Sequence, residues 1–124
     1  MYKVYIAGAI TDPDPLKFLD NVRKGIRVAA LLMMEGYAVF CPHLDHQIFF
    51  QIQSTGEVIL NEQIKNHSIE WLRVSDAVLV LPGYACSRGV HDEMKEADKL
   101  KIPIFLNPYA MRTYFDKLEE EKKK

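Results

Sequence analysis

Four near-continuous apolar runs, KVYIA (3–7), YAVFC (37–41), AVLVLP (77–82) and IPIFL (102–106), constrain the fold of this chain more than any other feature. Each is strand-length, and the first two stop at Gly8 and Pro42. Between them the hydrophobic period changes from continuous to helical. Strands without an obvious polar face, alternating with helices, belong to a parallel sheet covered on both sides. Right-handed crossovers then give strand order 2-1-3-4, with the topological switch between strands 1 and 3. A ligand crevice is expected outside the carboxyl ends of those two strands. GAITDP and GYACSRG occupy that position.

The intervening helices are read as follows. From Pro15 to Glu35, Leu16, Leu19, Val22, Ile26, Ala29, Ala30 and Met33 recur on one side, and Gly36 is placed as a C-cap. Residues 43–56 have no clean period and are expected to form a loop or irregular lid. Glu57 to Val74 is helical, with Leu60, Ile64, Trp71 and Leu72 on one face. A further helix carries Val90, Met94, Ala97 and Leu100 as its apolar stripe, and the last helix frays into EEEKKK.

With 124 residues and no linker or repeat, the expected organisation is a single domain over 1–124. A net charge of −1, with no basic block before the last three lysines, argues against nucleic-acid binding. No apolar run approaches membrane-spanning length, and the N-terminus reads as a strand rather than a signal peptide. Two cysteines make no disulfide framework, so a reduced, cytoplasmic location is expected.

Glu93 is the residue that needs explaining. It lies three after Val90 and four before Ala97, on the apolar side, whereas Asp92, Lys95, Glu96 and Lys99 face away. A carboxylate there costs desolvation energy unless it has a task, and it suits a nucleophile or an acid/base. The plain alternative is a first-turn glutamate favoured by the helix dipole. Upstream, Gly83 and Gly89 allow close backbone approach and Ser87 can cap the helix, leaving free amides for a phosphate or sugar hydroxyl. Neither a Walker signature nor GxGxxG is present, which removes support for ATP hydrolysis and dinucleotide binding.

Other readings have less behind them. CPHLDH (41–46) offers Cys41, His43, Asp45 and His46, but no second ligand cluster, so no metal or other cofactor is expected. Cys86 with His43 or His91 resembles a thiol and base, against the simpler role of a structural cysteine. Trp71 and the phenylalanines of IFF (48–50) suit either core packing or stacking on a base.

With these residues in place, the chain resembles the nucleoside 2-deoxyribosyltransferase superfamily, including the 2′-deoxynucleoside 5′-phosphate N-hydrolases. The similarity runs from VYIAGAIT through GYAVFCPH and IEWLRVSDAVLVLPG to SRGVHDEMKEADKLKIPIF. It rests on a strand-1 tyrosine before a glycine turn, Tyr5 and Gly8, and on a Ser-x-Gly-x-x-x-Glu helix start, Ser87, Gly89 and Glu93. The resemblance implies a flavodoxin-like three-layer α/β sandwich with a four- or five-stranded parallel sheet, order 2-1-3-4(-5). It implies N-glycosidic cleavage or deoxyribosyl transfer on a nucleoside or nucleotide, in a homodimer or higher homo-oligomer. Glu93 would attack the anomeric carbon and Tyr5 would orient it. Gly8, Ala9, Ile10, His43, Asp45, Pro82, Gly83, Ser87 and Gly89 would contact substrate. One position departs from the family: Ser68 stands where an aspartate usually protonates the leaving base. A serine has no useful pKa for that task. His67 or Glu70 on a rotated helix, or Asp45 or His43 from the lid, are the substitutes in reach. The first-loop arginine of some hydrolases is also missing, which argues against a phosphorylated substrate. A binding module that keeps the cradle without the acid is the competing expectation.

Overall fold

Side chains alternate across a strand, and that period divides the core of this protein in two. In the computed structural model, which describes residues 1–124, β1 (Lys3–Ala7) turns Val4 and Ile6 to one face and Tyr5 and Ala7 to the other. β3 (Ala77–Val80) does the same, with Ala77 and Leu79 opposite Val78 and Val80. All of these are buried, which explains the absence of polar alternation in the sequence. β2 (Ala38–Phe40) and β4 (Ile104–Phe105) flank them in a four-stranded sheet of order β2-β1-β3-β4, every pair parallel. This is the expected order; there is no fifth strand. β4 is shorter than its apolar run and begins just after Pro103, which has no N–H to donate.

Five α-helices cover the sheet: α1 (Pro15–Met34), α2 (His46–Ser54), α3 (Asn61–Arg73), α4 (Arg88–Lys99) and α5 (Pro108–Lys122). Ala29 and Leu32 of α1 and Met111 and Phe115 of α5 share the cluster of Val4 and Ile6. Leu72 of α3 and Val90 and Ala97 of α4 share that of Tyr5 and Ala7. Tyr5 therefore points into the α3–α4 layer.

Three expectations need correction. The inward face of α1 is Val22, Gly25, Ala29 and Leu32, while Leu16, Leu19, Ala30 and Met33 are exposed and Ile26 lies at the margin. Apolar residues occupy so wide an arc of this helix that their period does not fix its rotation. The deciding contact is at Gly25, where an added Cβ would lie 2.3 Å from Cγ of His43. Only a glycine lets that imidazole sit against the helix. Residues 43–56, in turn, are not a loop. A short 3₁₀ turn (Pro42–Leu44) leads directly into α2, none of whose residues is fully buried. The expected helix from Glu57 begins instead at Asn61, where the Gln63 side chain accepts the Leu60 N–H at 2.8 Å.

Candidate functional site

A cavity of about 450 Å³ opens at the carboxyl ends of β1 and β3, between α2, α3 and the start of α4. That volume suits a small-molecule ligand. Ile10 and Thr11, after β1, form part of its wall; Asp45, His46, Phe49, Phe50 and Gln53 come from the 42–54 segment. α3 supplies Asn61, Ile64, Lys65, Ser68 and Ile69, and α4 supplies Gly89, Asp92 and Glu93.

Glu93 lies in the second turn of α4, one turn beyond Gly89 and beside the buried Val90. Its Oε2 is buried without a hydrogen-bond partner, as is the Tyr5 hydroxyl. The two groups are close enough to influence each other. Burial pushes the Glu93 carboxyl up to about 7, with Tyr5 partly offsetting the rise. Burial also drives the Tyr5 phenol far above its ordinary range, reinforced by the Glu93 charge and opposed by Ser68. Neither oxygen, however, makes a hydrogen bond of good geometry. A buried carboxylate and a buried phenol that leave each other unsatisfied are an expensive arrangement for stability alone. Such groups remain able to satisfy a third, bound partner.

Asp45 ends the 3₁₀ turn after β2 and is 7% exposed, with Oδ2 unpartnered. Burial raises its carboxyl pKa, against the pull of His67 and His46. His67 Nδ1 stands 3.8 Å from Asp45 Oδ2, and His67 itself is largely exposed on α3. Glu70 is not among the cavity-lining residues and pairs with Arg73 at 2.7 Å.

The remaining candidates divide. Ile10, Asp45, Ser68, Gly89 and Glu93 line the cavity, and Tyr5 lies beneath it through its neighbours Glu93 and Ser68. Gly8 and His43 are buried behind it: a Cβ on Gly8 would come within 2.8 Å of Leu81 Cδ1 and 3.2 Å of His43 Nε2. Nε2 of His43 has no hydrogen-bond partner of good geometry, although the Ala9 backbone favours its charged form. Burial outweighs that contact and lowers the His43 pKa to about 4. His43 therefore supports the Gly8–Ile10 turn rather than facing the cavity. Ser87 caps α4 by accepting the Val90 N–H at 3.3 Å. Pro82 and Gly83 occupy an exposed turn outside the cavity lining, where Gly83 has φ +89°. Cys41, His43, Asp45 and His46 do not converge as metal ligands. Cys41 Sγ approaches His43 Nδ1 at 3.6 Å, while His46 Nδ1 bonds the His43 carbonyl at 2.7 Å. Trp71 stacks on Phe40 beside Tyr5 and lies outside the cavity, whereas Phe49 and Phe50 line it.

Asp92 corrects the helix reading. Rather than facing open solvent, it lines the cavity and pairs with Lys65 at 3.2 Å. Phe18, Gln53, Asn61 and Lys65 carried no mark in the sequence, whereas Thr11 belongs to the GAITDP segment expected at the crevice. Asp92 had a usable signal, being next to Glu93.

The chain belongs to a family described as a domain of unknown function, DUF4406, whose model matches residues 2–106. No curated protein matches it by sequence. Its fold is similar to that of 2-deoxyribosyltransferase from the psychrotolerant bacterium Bacillus psychrosaccharolyticus. That match has a TM-score of 0.53 and 19% identity, covering 82% of this chain and 69% of the other.

Proposed function

We propose that this DUF4406 member acts on the N-glycosidic bond of a 2′-deoxynucleoside, with Glu93 as nucleophile and Tyr5 as its orienting partner. The observation that carries this reading is the pair of buried, unpartnered oxygens, Glu93 Oε2 and Tyr5 OH, beside an aromatic-walled cavity. A carboxyl with a pKa of about 7 is ionised in a useful fraction near neutrality. Being poorly solvated, that carboxylate gains by forming a bond to carbon. Attack on C1′ would give a glycosyl ester, and water or a second base would then take the sugar with net retention. Phe49 and Phe50 offer apolar surface to a planar base.

A nucleoside fits better than its monophosphate. Lys65 is the one basic side chain other than histidine that lines the cavity, and Asp92 already engages it. A phosphate would also meet the charge of Glu93 and Asp92. Incubation with deoxynucleosides and their monophosphates, with and without a second free base, tests the reading by release or exchange of base. Release from deoxynucleosides, lost in Glu93→Gln, is the expected result. Nucleoside binding without any turnover would favour the competing module without catalysis, for which Ser68 in place of an acid is the supporting observation.

A further inference from the structure

We propose that Asp45 is the acid/base partner of Glu93, donating the proton that the departing base requires. This rests on the glycosidic reading above and assigns the role that Ser68 cannot fill.

The topology separates the two carboxyls. β1 carries Tyr5 in the middle of the site, with β2 on one side and β3 on the other. Asp45 follows β2 and Glu93 follows β3, so they approach the cavity from strands about 10 Å apart. Each lines that cavity, and each has an oxygen that is buried without a partner. A displacement with a nucleophile on one side of the sugar needs its acid on the other. The proton goes to a ring nitrogen or carbonyl oxygen of the base, because the glycosidic nitrogen has its lone pair in the ring π system. That atom lies well beyond C1′, so a wide separation suits the chemistry.

Burial favours the protonated form of Asp45. In the first step the C1′–N bond breaks and the C1′–O bond to Glu93 forms. Asp45 gives its proton to the base and becomes a carboxylate. His67, 3.8 Å away, favours that charge after transfer. In the second step water, entering where the base left, attacks C1′ and breaks the ester. Its proton returns to Asp45, and Glu93 leaves as a carboxylate.

The test compares 2′-deoxyguanosine with its N7-methylated cation, whose base departs neutral without being protonated. Single-turnover base release is measured for wild type, Asp45→Asn and Glu93→Gln. Asp45→Asn is expected to lose about 10²–10⁴-fold on deoxyguanosine and to stay within a few-fold of wild type on the methylated substrate. Glu93→Gln is expected to lose both. Equal loss on the two substrates, or no loss on either, overturns the assignment of Asp45 alone. Wild-type protein inert toward both overturns the glycosidic reading and Asp45's role with it. Should Asp45→Asn fail to fold, Asp45→Ser is compared across the same two substrates, and the same selectivity decides.

Discussion

The cavity has a floor built by β1 and α4 and a cover built by α2, and the two differ in how firmly they are held. On the floor, Tyr5 is fully buried in the centre of the sheet and Val90 anchors α4 immediately before Asp92 and Glu93. In the cover no residue is fully buried, and Phe50 is 58% exposed while lining the cavity. The floor cannot move without breaking the sheet. α2 has few buried contacts to lose, so its opening is the cheaper motion. Chemistry placed on the floor gains positional accuracy, and apolar contacts placed on the cover gain access for a ligand. Substitutions should accordingly affect rate on the floor and at the buried Asp45 that precedes the cover, and affinity on α2 itself.

The largest break in that comparison is Glu93→Gln. Turnover should fall by on the order of 10⁴-fold or more, as expected when a covalent nucleophile is removed. Thermal stability near pH 8 should hold or rise, since a buried charge is removed. A wild-type rate in a folded mutant would remove Glu93 from the mechanism.

Gly25→Ala comes next and acts on stability. The new Cβ would fall 2.3–2.5 Å from three atoms of the His43 ring, and overpacking of this kind costs about 1–3 kcal/mol. Chemical denaturation reads the loss directly. His43→Ala in the same background should recover part of it; no recovery would mean that α1 is strained elsewhere.

Tyr5→Phe should slow turnover by about 10–100-fold, the equivalent of one hydrogen bond to a charged group. The phenol lowers the Glu93 pKa in the native protein. Without it that pKa rises, and the acidic limb of the pH–rate profile should move to higher pH. A limb that stays in place would separate Tyr5 from Glu93. The smallest effect belongs to the cover: Phe50→Ala should raise KM a few-fold with kcat nearly unchanged, and alter stability by no more than about 0.5 kcal/mol. A kcat loss matching that of Tyr5→Phe would erase the distinction between floor and cover.

The same division governs how much could be read from the chain. Strands β1 and β3 were legible because burial on both faces removes every polar alternation from KVYIA and AVLV. Glu93 was legible because a carboxylate interrupts the stripe from Val90 to Ala97. α2 was not, since Ile48, Phe49, Phe50 and Ile52 spread apolar character around a nine-residue helix and leave no period to detect. The rotation of α1 was hidden for a similar reason. Its inward mark is Gly25, a residue whose meaning depends on His43 arriving from a distant turn. Asp45 was legible as a substrate contact, but Asp92 was assigned to the outward face, because its position follows from how α3 lies beside α4.

His43, wedged against Gly25, also has a consequence for proton uptake. Burial holds its imidazole near 4 instead of 6.5, so the unfolded chain binds more protons there between those pH values. The stability this contributes is present above 6.5 and is lost as pH falls through 4. Glu93 is displaced the other way, from 4.5 to about 7. Its contribution is present below 4.5 and is lost as pH rises through 7, and the raised carboxyl of Asp45 acts in the same sense. Each of the two larger displacements corresponds to on the order of 3 kcal/mol. Between about 4.5 and 6.5 those two oppose each other, and what remains is the smaller contribution of Asp45. Removing one exposes the other: Glu93→Gln should become more stable as pH rises across that window, and His43→Gln less stable. Parallel stability curves for the two variants would show that these groups do not titrate as a balanced pair. With both present, a protein that buries a base and an acid can tolerate mild acidification without the steep loss either alone would impose.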